Sequence, residues 1–576
     1  MDVEPTLSRI STADVVHVHL KTYIILASIN FAYFAQLAAV VGSGFLAQSV
    51  QKFFGSTEGT WMSQSITILT VVLSPPVSQI ADLWGRKWPI TIAMLCGFIG
   101  SIVAGRAESM GTVIAGYCIM GICFGAQPLL HAVVSEVLAR RHRPLAQGSV
   151  NATAGFGGLV GLVMGGALLR HGDLSKYRIY LYVNAAIFFV AAVGILVAYN
   201  PPPRELQISL TTSEKLRRIH WISYLLFTPG LVLFCIALSW SRNPYPWSNS
   251  RIIAPFVVGV LFMIAFGIYE WRFKKDGILD RGLFRSRNFV LALLTIFAEG
   301  VSFFAANTYF AFEISIFTGE DLLISGLHFG VTFIAGSIVA YVAGIYSTKR
   351  KALRFPLVLG FLFLLIFFIC LAATYNSNPK GGFWAFGVIC GFGTGIILPL
   401  TMVAAQLATT PELISSASSL VIAVRSLGGT VGLAINNAIF NSALSTEIPK
   451  RIAAAVLPLG LPPSSLGMLI GGITSQDQAL LAHTPGVTPQ IIGAAAEALV
   501  QAYGIGFRNC WIAAACFTGA AVIASLFFYD PEEQFNAHID APAEERVIEK
   551  QARLEGHAPA TGAEPKNLEH EVVERA

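Results

Sequence analysis

GICFGAQPLLHAVVSEV, residues 121–137, and GFGTGIILPLTMVAAQL, residues 391–407, decide the architecture. Each is apolar, sets glycines four apart, follows them with a proline and carries a polar residue near its end. They lie inside longer apolar runs, 112–135 and 383–406, and a bilayer crossing takes about 20 such residues as a helix. Twelve further runs of that kind occur near 22–46, 60–80, 89–105, 148–169, 179–199, 222–240, 252–270, 288–312, 326–346, 356–375, 416–441 and 507–529. In hydrocarbon every backbone amide must find its partner inside the segment, so each run is a helix. A strand barrel would instead show alternating segments of about ten residues.

Composition agrees. The 576 residues are 54% hydrophobic and 12% charged, against about 25% charged in soluble proteins. An ordinary soluble enzyme, a secreted disulfide scaffold and a disordered chain are excluded. The net charge of +5 is small for this length and is no nucleic-acid footprint. The eight cysteines fall inside apolar runs without metal-ligand or CxxC spacing and read as packing residues.

The likeness between spans 4 and 12 recurs elsewhere. GGLVGLVMGG (157–166) in span 5 matches RSLGGTVGLAI (425–435) in span 13, and SQIADLWGRK (78–87) after span 2 matches GIYSTKRK (344–351) after span 10. The offset is eight spans each time. Two six-helix halves separated by two inserted helices explain it, which predicts an all-α integral membrane fold of 6+2+6 helices, the architecture of secondary transporters. The expected units are a cytosolic N-terminal tail (1–21), an N-terminal bundle (22–200), the insert with its loops (201–287), a C-terminal bundle (288–529) with a long outer loop (446–506), and a cytosolic disordered tail (530–576). An even span count puts both termini on one side. With the termini inside, the inner loops hold about twice the Lys and Arg of the outer ones, so both are expected in the cytoplasm.

SQIADLWGRK resembles the loop 2–3 signature of the major facilitator superfamily, Gly-x-x-x-Asp-Arg-x-Gly-Arg-Arg/Lys, at Asp82, Gly85, Arg86 and Lys87; Ser78 and Leu83 depart from it. The resemblance implies a conformational latch between the halves at the cytoplasmic side. GGLVGLVMGG looks like the antiporter motif of span 5, with Leu162 where proline is usual, which favours export. RSLGGTVG resembles the fourteen-span drug–proton antiporter branch. VSEVLARRHRP (134–144), WISYLLFTPGLVLFCIALSW (221–240) with its NPYPW loop, GLPPSSL (460–466) and TPGVTPQIIGAAAEALVQAYGIGFR (484–508) are similar to the fungal trichothecene efflux pump family, sister to the siderophore transporters. Members of that branch usually carry Asp in span 1 and Arg in span 4, where this chain has Asn30, Tyr33 and Gln36, and Tyr117.

Charges in hydrocarbon are costly, so the few present need a reason. Glu299 falls about eleven residues into span 9, roughly 16 Å along the axis and near mid-membrane. Glu299, Arg425 and His131 are the proton-coupling candidates. Arg425 is expected to pair with Glu299, to bind an anionic substrate or to serve structurally; Glu136 and Arg140 are expected to pair at a helix end. Asn30, Tyr33, Gln36, Gln64, Gln127, Phe303 and Asn307 are the cavity candidates, a mostly aromatic and amide wall suited to a bulky, weakly charged molecule. Gly157, Gly161, Gly165, Gly166, Gly428, Gly429 and Gly432 are expected to allow close helix packing. Thr488-Pro489 is a helix start, with proline at the first helical position.

The expected function is proton-coupled efflux of hydrophobic small molecules by alternating access. The expected partners are protons, lipid and substrate, with no nucleic acid, and the chain is expected to act as a monomer at the plasma membrane, with a vacuolar or vesicular membrane as the alternative. It needs no metal or cofactor and draws on the proton gradient. Siderophore–iron import by proton symport is the alternative. A membrane-embedded enzyme is disfavoured because no catalytic His, carboxylate or Ser/His/Asp cluster occurs, and no Gly-x-x-x-x-Gly-Lys-Ser/Thr phosphate loop marks an ATP-driven pump.

Overall fold

The computed structural model describes residues 20–542 apart from positions 57, 60, 171–172, 203–204, 241–244, 275–276, 278–279, 375–379, 476–479 and 482. Most of the N-terminal tail and the end of the C-terminal tail thus lie outside the described residues. Among those described, 14 helical segments are long and apolar enough to cross a membrane, giving an all-α membrane fold.

The N-terminal half comprises α1 (Leu20–Phe54), α2 (Trp61–Trp84), α3 (Lys87–Gly105), α4 (Met110–Phe124), α5 (Gln127–Glu136), α6 (Arg143–Leu169) and α7 (Tyr177–Ala198). Span 4 is α4 and α5 together, interrupted at Gly125–Ala126 just before Pro128. A proline ring has no N–H and opens the new helix at its first turn. At the break the Cys123 carbonyl accepts from the Ala126 N–H at 3.2 Å, and Gln36 of α1 donates to the same oxygen at 2.9 Å. Two helices follow, α8 (Trp221–Trp240) and α9 (Ser250–Phe273), closely packed at Gly230 and Gly259. The C-terminal half is α10 (Arg287–Thr318), α11 (Leu322–Arg350), α12 (Arg354–Ala373), α13 (Lys380–Leu407), α14 (Ile414–Val456), α15 (Leu466–Ser475) and α16 (Pro489–Ser525).

The two halves repeat a packing device. A methyl group built on Gly157 of α6 would lie 2.3 Å from the Phe34 carbonyl oxygen of α1, and one on Gly161 2.5 Å from that of Ala38. In the other half a methyl on Gly428 of α14 would lie 2.2 Å from the Phe297 carbonyl oxygen of α10, and one on Gly432 2.7 Å from the Val301 Cα. Such contacts exist only because no side chain intervenes, which is how small residues bring membrane helices together. Gly429 lies against the Phe304 ring in the same way. Gly165 faces Leu46 and Phe45, whereas Gly166 abuts Leu323 of the opposite half.

The stretch read as an outer loop is largely helical. α14 runs through Pro449 to Val456, and α15 and the first turns of α16 pack with it around Ile452, Leu469, Ile491 and Ala495. Thr488 caps α16 by accepting from the Ile491 N–H, with Pro489 in the first turn as the sequence predicts.

The tail read as disordered from Asp530 departs from that reading over 530–542. Phe528 and Phe535 are buried in the core of the C-terminal half. Asp530 accepts from the Leu353 and Arg354 amides at 2.5 and 2.8 Å, fixing the start of α12. Beyond Phe535 the chain crosses to the N-terminal half, where enough partners exist to order it.

Candidate functional site

A narrow cavity of about 60 Å³ lies between the halves, walled by Tyr33, Asn151, Glu299, Phe303, Thr332 and Arg425 among others. That is room for a few waters at about 10–15 Å³ each. Glu299 is 1% exposed on α10 and Arg425 8% exposed on α14. The guanidinium donates from Nε at 2.6 Å and Nη2 at 2.9 Å to the two oxygens of the carboxylate. It also lies 4.6 Å from the centroid of the Phe303 ring. Gly300 sets this up: a methyl there would lie 2.0 Å from the Arg425 carbonyl oxygen, so α10 and α14 meet at this level. Of the three expectations for Arg425, the geometry matches pairing with Glu299.

The facing half supplies neutral groups. The Tyr33 hydroxyl accepts from the Gln127 amide at 3.0 Å, and its ring meets His131 edge-on at 4.9 Å between centroids. His131 is fully buried behind Tyr33; its Nδ1 is 2.7 Å from Gln147 Oε1, and Gln147 Nε2 donates to the His131 carbonyl and the Ser135 hydroxyl. Thus Glu299, Arg425, Tyr33 and Phe303 meet at the cavity, with Gln127 and His131 one layer behind.

Other candidates lie elsewhere. Gln36 is spent on the Cys123 carbonyl, Asn30 reaches Ser149 at 3.5 Å between α1 and α6, and Gln64 is buried in α2. Asn307 stands where α10 meets Gly44 of α1, its amide nitrogen 2.9 Å from a methyl built on that glycine. Glu313 is remote from the cavity and accepts from the Trp511 indole at 2.9 Å. Asn151, Thr332, Ser337 and Thr394 line the cavity without having been singled out. Asn151-Ala-Thr153 fits a glycosylation sequon, and the useful signal was its polarity inside an apolar span.

The loop 2–3 cluster pairs inside its own half. Arg86 grips both carboxylate oxygens of Glu136 at the end of α5 and reaches Asp82 at 3.5 Å. Burial works against the charge on Arg86, and the Glu136 and Asp82 carboxylates outweigh it, raising the guanidinium pKa. Gly85 turns the chain at φ +92°, a conformation that favours glycine, and Lys87 donates to Asn200 at 2.6 Å. The expected Glu136–Arg140 pair gives way to two others, because Arg86 reaches Glu136 and Arg140 meets Asp540 of the tail at 2.8 Å.

The halves touch at both ends. Arg143, opening α6, donates to the Gln406 carbonyl of α13 at 3.3 Å, and Arg170, closing α6, pairs with Asp321 at 2.9 Å. The 27 residues of α6 separate these contacts by about 40 Å.

The sequence pattern of the Major Facilitator Superfamily matches residues 25–433. An MFS-type transporter, gkaD, of Penicillium citrinum is 26% identical over 434 residues, covering 74% of this chain and 72% of that one. The trichothecene efflux pump TRI12 of Fusarium sporotrichioides is 22% identical over 505 residues, covering 86% and 82%. A solved bacterial homologue of the human lysosomal transporter Spinster, inward-facing and unoccupied, shares the fold at a TM-score of 0.58 and 14% identity, over 89% of this chain and 100% of that chain. Fourteen apolar helices and transporter relatives make this a multi-pass membrane transporter and not an enzyme. With the pattern spanning most of its length, the chain belongs to the Major Facilitator Superfamily.

Proposed function

We propose that the protein exports hydrophobic small molecules by alternating access, with Glu299 as the group that takes up and releases the coupling proton. The observation that carries this reading is the Glu299–Arg425 pair in the wall of the cavity between the halves. A proton on Glu299 removes one charge of the pair, frees a strong guanidinium donor and changes what the cavity prefers to hold. Phe303 and Tyr33 offer apolar surface to an uncharged, ring-bearing molecule, and Asn151, Thr332 and Thr394 offer orienting hydrogen bonds. A drug-sized ligand needs a site of about 300–1,000 Å³, so the halves must part to admit it. The contacts at Arg143 and Arg170 are those that must open in turn.

TRI12 gives the first substrate to try. Purified protein in phosphatidylcholine vesicles, loaded with a radiolabelled trichothecene, is given a pH gradient of either sign. Gradient-driven movement in the wild type, lost in E299Q while substrate binding persists, supports the reading. Movement in E299Q that still follows the gradient removes Glu299 from the coupling. Trapping of ferric siderophores in place of the trichothecene would replace export with import.

A further inference from the structure

The contacts of the tail reach further than its order alone. Past Phe535, which is buried in the C-terminal half, the backbone docks onto the connection between α5 and α6. Arg140 N–H donates to the His538 carbonyl at 2.9 Å, Arg141 N–H to that of Asn536 at 3.0 Å, and Ala541 N–H to that of Glu136 at 3.0 Å. Arg140 further donates to Gln534 at 3.1 Å. At the end of this path Asp540, its side chain 2% exposed, accepts from Arg140 at 2.8 Å and from Arg143. Arg143 is the same residue that reaches the Gln406 carbonyl of α13. One arginine therefore joins the tail, the N-terminal half and the C-terminal half.

We propose that residues 530–542 form a strap that holds the two halves together at this end, with Asp540 as its bolt, and that the strap must leave the Arg140–Arg143 pair each time this end opens. The proposal rests on the alternating-access reading above. A strap anchored to one half by Phe528, Phe535 and Asp530 and to the other by Asp540 resists separation of what it spans. Two buried guanidiniums around one carboxylate form a contact that is strong when complete and weak when any member is missing. The strap joins the ends that Asp82 and its neighbours were expected to latch, whereas the Arg86 pairs stay within one half.

The test fixes the strap without touching Asp540. R141C and N536C place two thiols on backbone-bonded neighbours, to be bridged by a short reducible bis-maleimide in the full chain, with each single variant as control. The bridged protein is expected to bind the labelled trichothecene but transport it at least about tenfold more slowly, and cleaving the linker restores transport. Bridged protein that transports at the unbridged rate overturns the proposal. A second measurement does not depend on transport. T394C puts a thiol in the cavity wall, and adding D540N is expected to speed its labelling by a membrane-impermeant maleimide from the strap side by about tenfold. Unchanged labelling also overturns the strap. A wild type that moves no substrate would defeat the transport reading, while the labelling comparison still judges the strap.

Discussion

Arg425 meets Glu299 with two parallel hydrogen bonds, 2.6 and 2.9 Å, from a helix 126 residues away in the chain. Removing one member of a buried pair strands the other charge and costs about 3–5 kcal/mol, whereas replacing both with apolar residues of similar size is often neutral. R425L is therefore expected to lower the melting temperature in detergent clearly, and E299L/R425L to recover most of the loss. Additive losses in the double variant would show that the two residues do not act as a pair.

The glycine contacts make a symmetric prediction. G157A and G428A each place a methyl within 2.3 Å of a carbonyl oxygen in corresponding places of the two halves. Overpacking of this kind costs about 1–3 kcal/mol, so both variants should fall in folded yield on size-exclusion chromatography. G467A has nothing within 4 Å and should match the wild type.

Gln36 has a structural task at the break in span 4. Q36L removes one of the two donors to the Cys123 carbonyl and leaves the Ala126 N–H, a loss of about 0.5–1.5 kcal/mol. Thermal unfolding should register it. A Q36L protein as stable as the wild type would mean that the Ala126 N–H alone satisfies that carbonyl.

The strap has a defined pH response. Burial works to raise the pKa of Asp540, but Arg143 and Arg140, with His538 beside them, outweigh it and hold it below the ordinary carboxylate value. A lowered bound-state pKa means that docking is at full strength above the ordinary value, about 4, and weakens as pH falls through it toward the lowered one. Protection of the 530–542 segment from limited proteolysis should stay flat or rise slightly from about pH 8 to pH 5, where a proton on His538 only adds to the pairing, and fall only in stronger acid. In D540N the flat region should show less protection, and the acid-dependent fall should disappear.

The membrane spans are legible because apolar length leaves few alternatives, and the glycine repeats mark the two halves without reference to packing. What escaped was set by partners far away in the chain. Glu136 looked like a partner for Arg140 because the two are four residues apart, but α5 ends at Glu136 and the chain turns, handing Glu136 to Arg86 and Arg140 to Asp540. Gln36 looked like a cavity amide because nothing in sequence shows that the Cys123 carbonyl of span 4 lies within its reach. The Asp540 strap hid in a polar segment whose order comes from two arginines some 400 residues earlier. Glu299 and Arg425 were found because an ionised group inside an apolar span carries its own signal.

Glu299 and Arg425 also occupy the same half of the molecule, side by side. While both are ionised they move through the bilayer's electric field as a neutral couple, so rocking that half does no electrical work through them. A lone charge crossing the field would feel about 2.3 kcal/mol for every 100 mV. Membrane voltage can then act on the cycle only through what the pair exchanges: a proton gained by Glu299, or a charged cargo seated against Arg425.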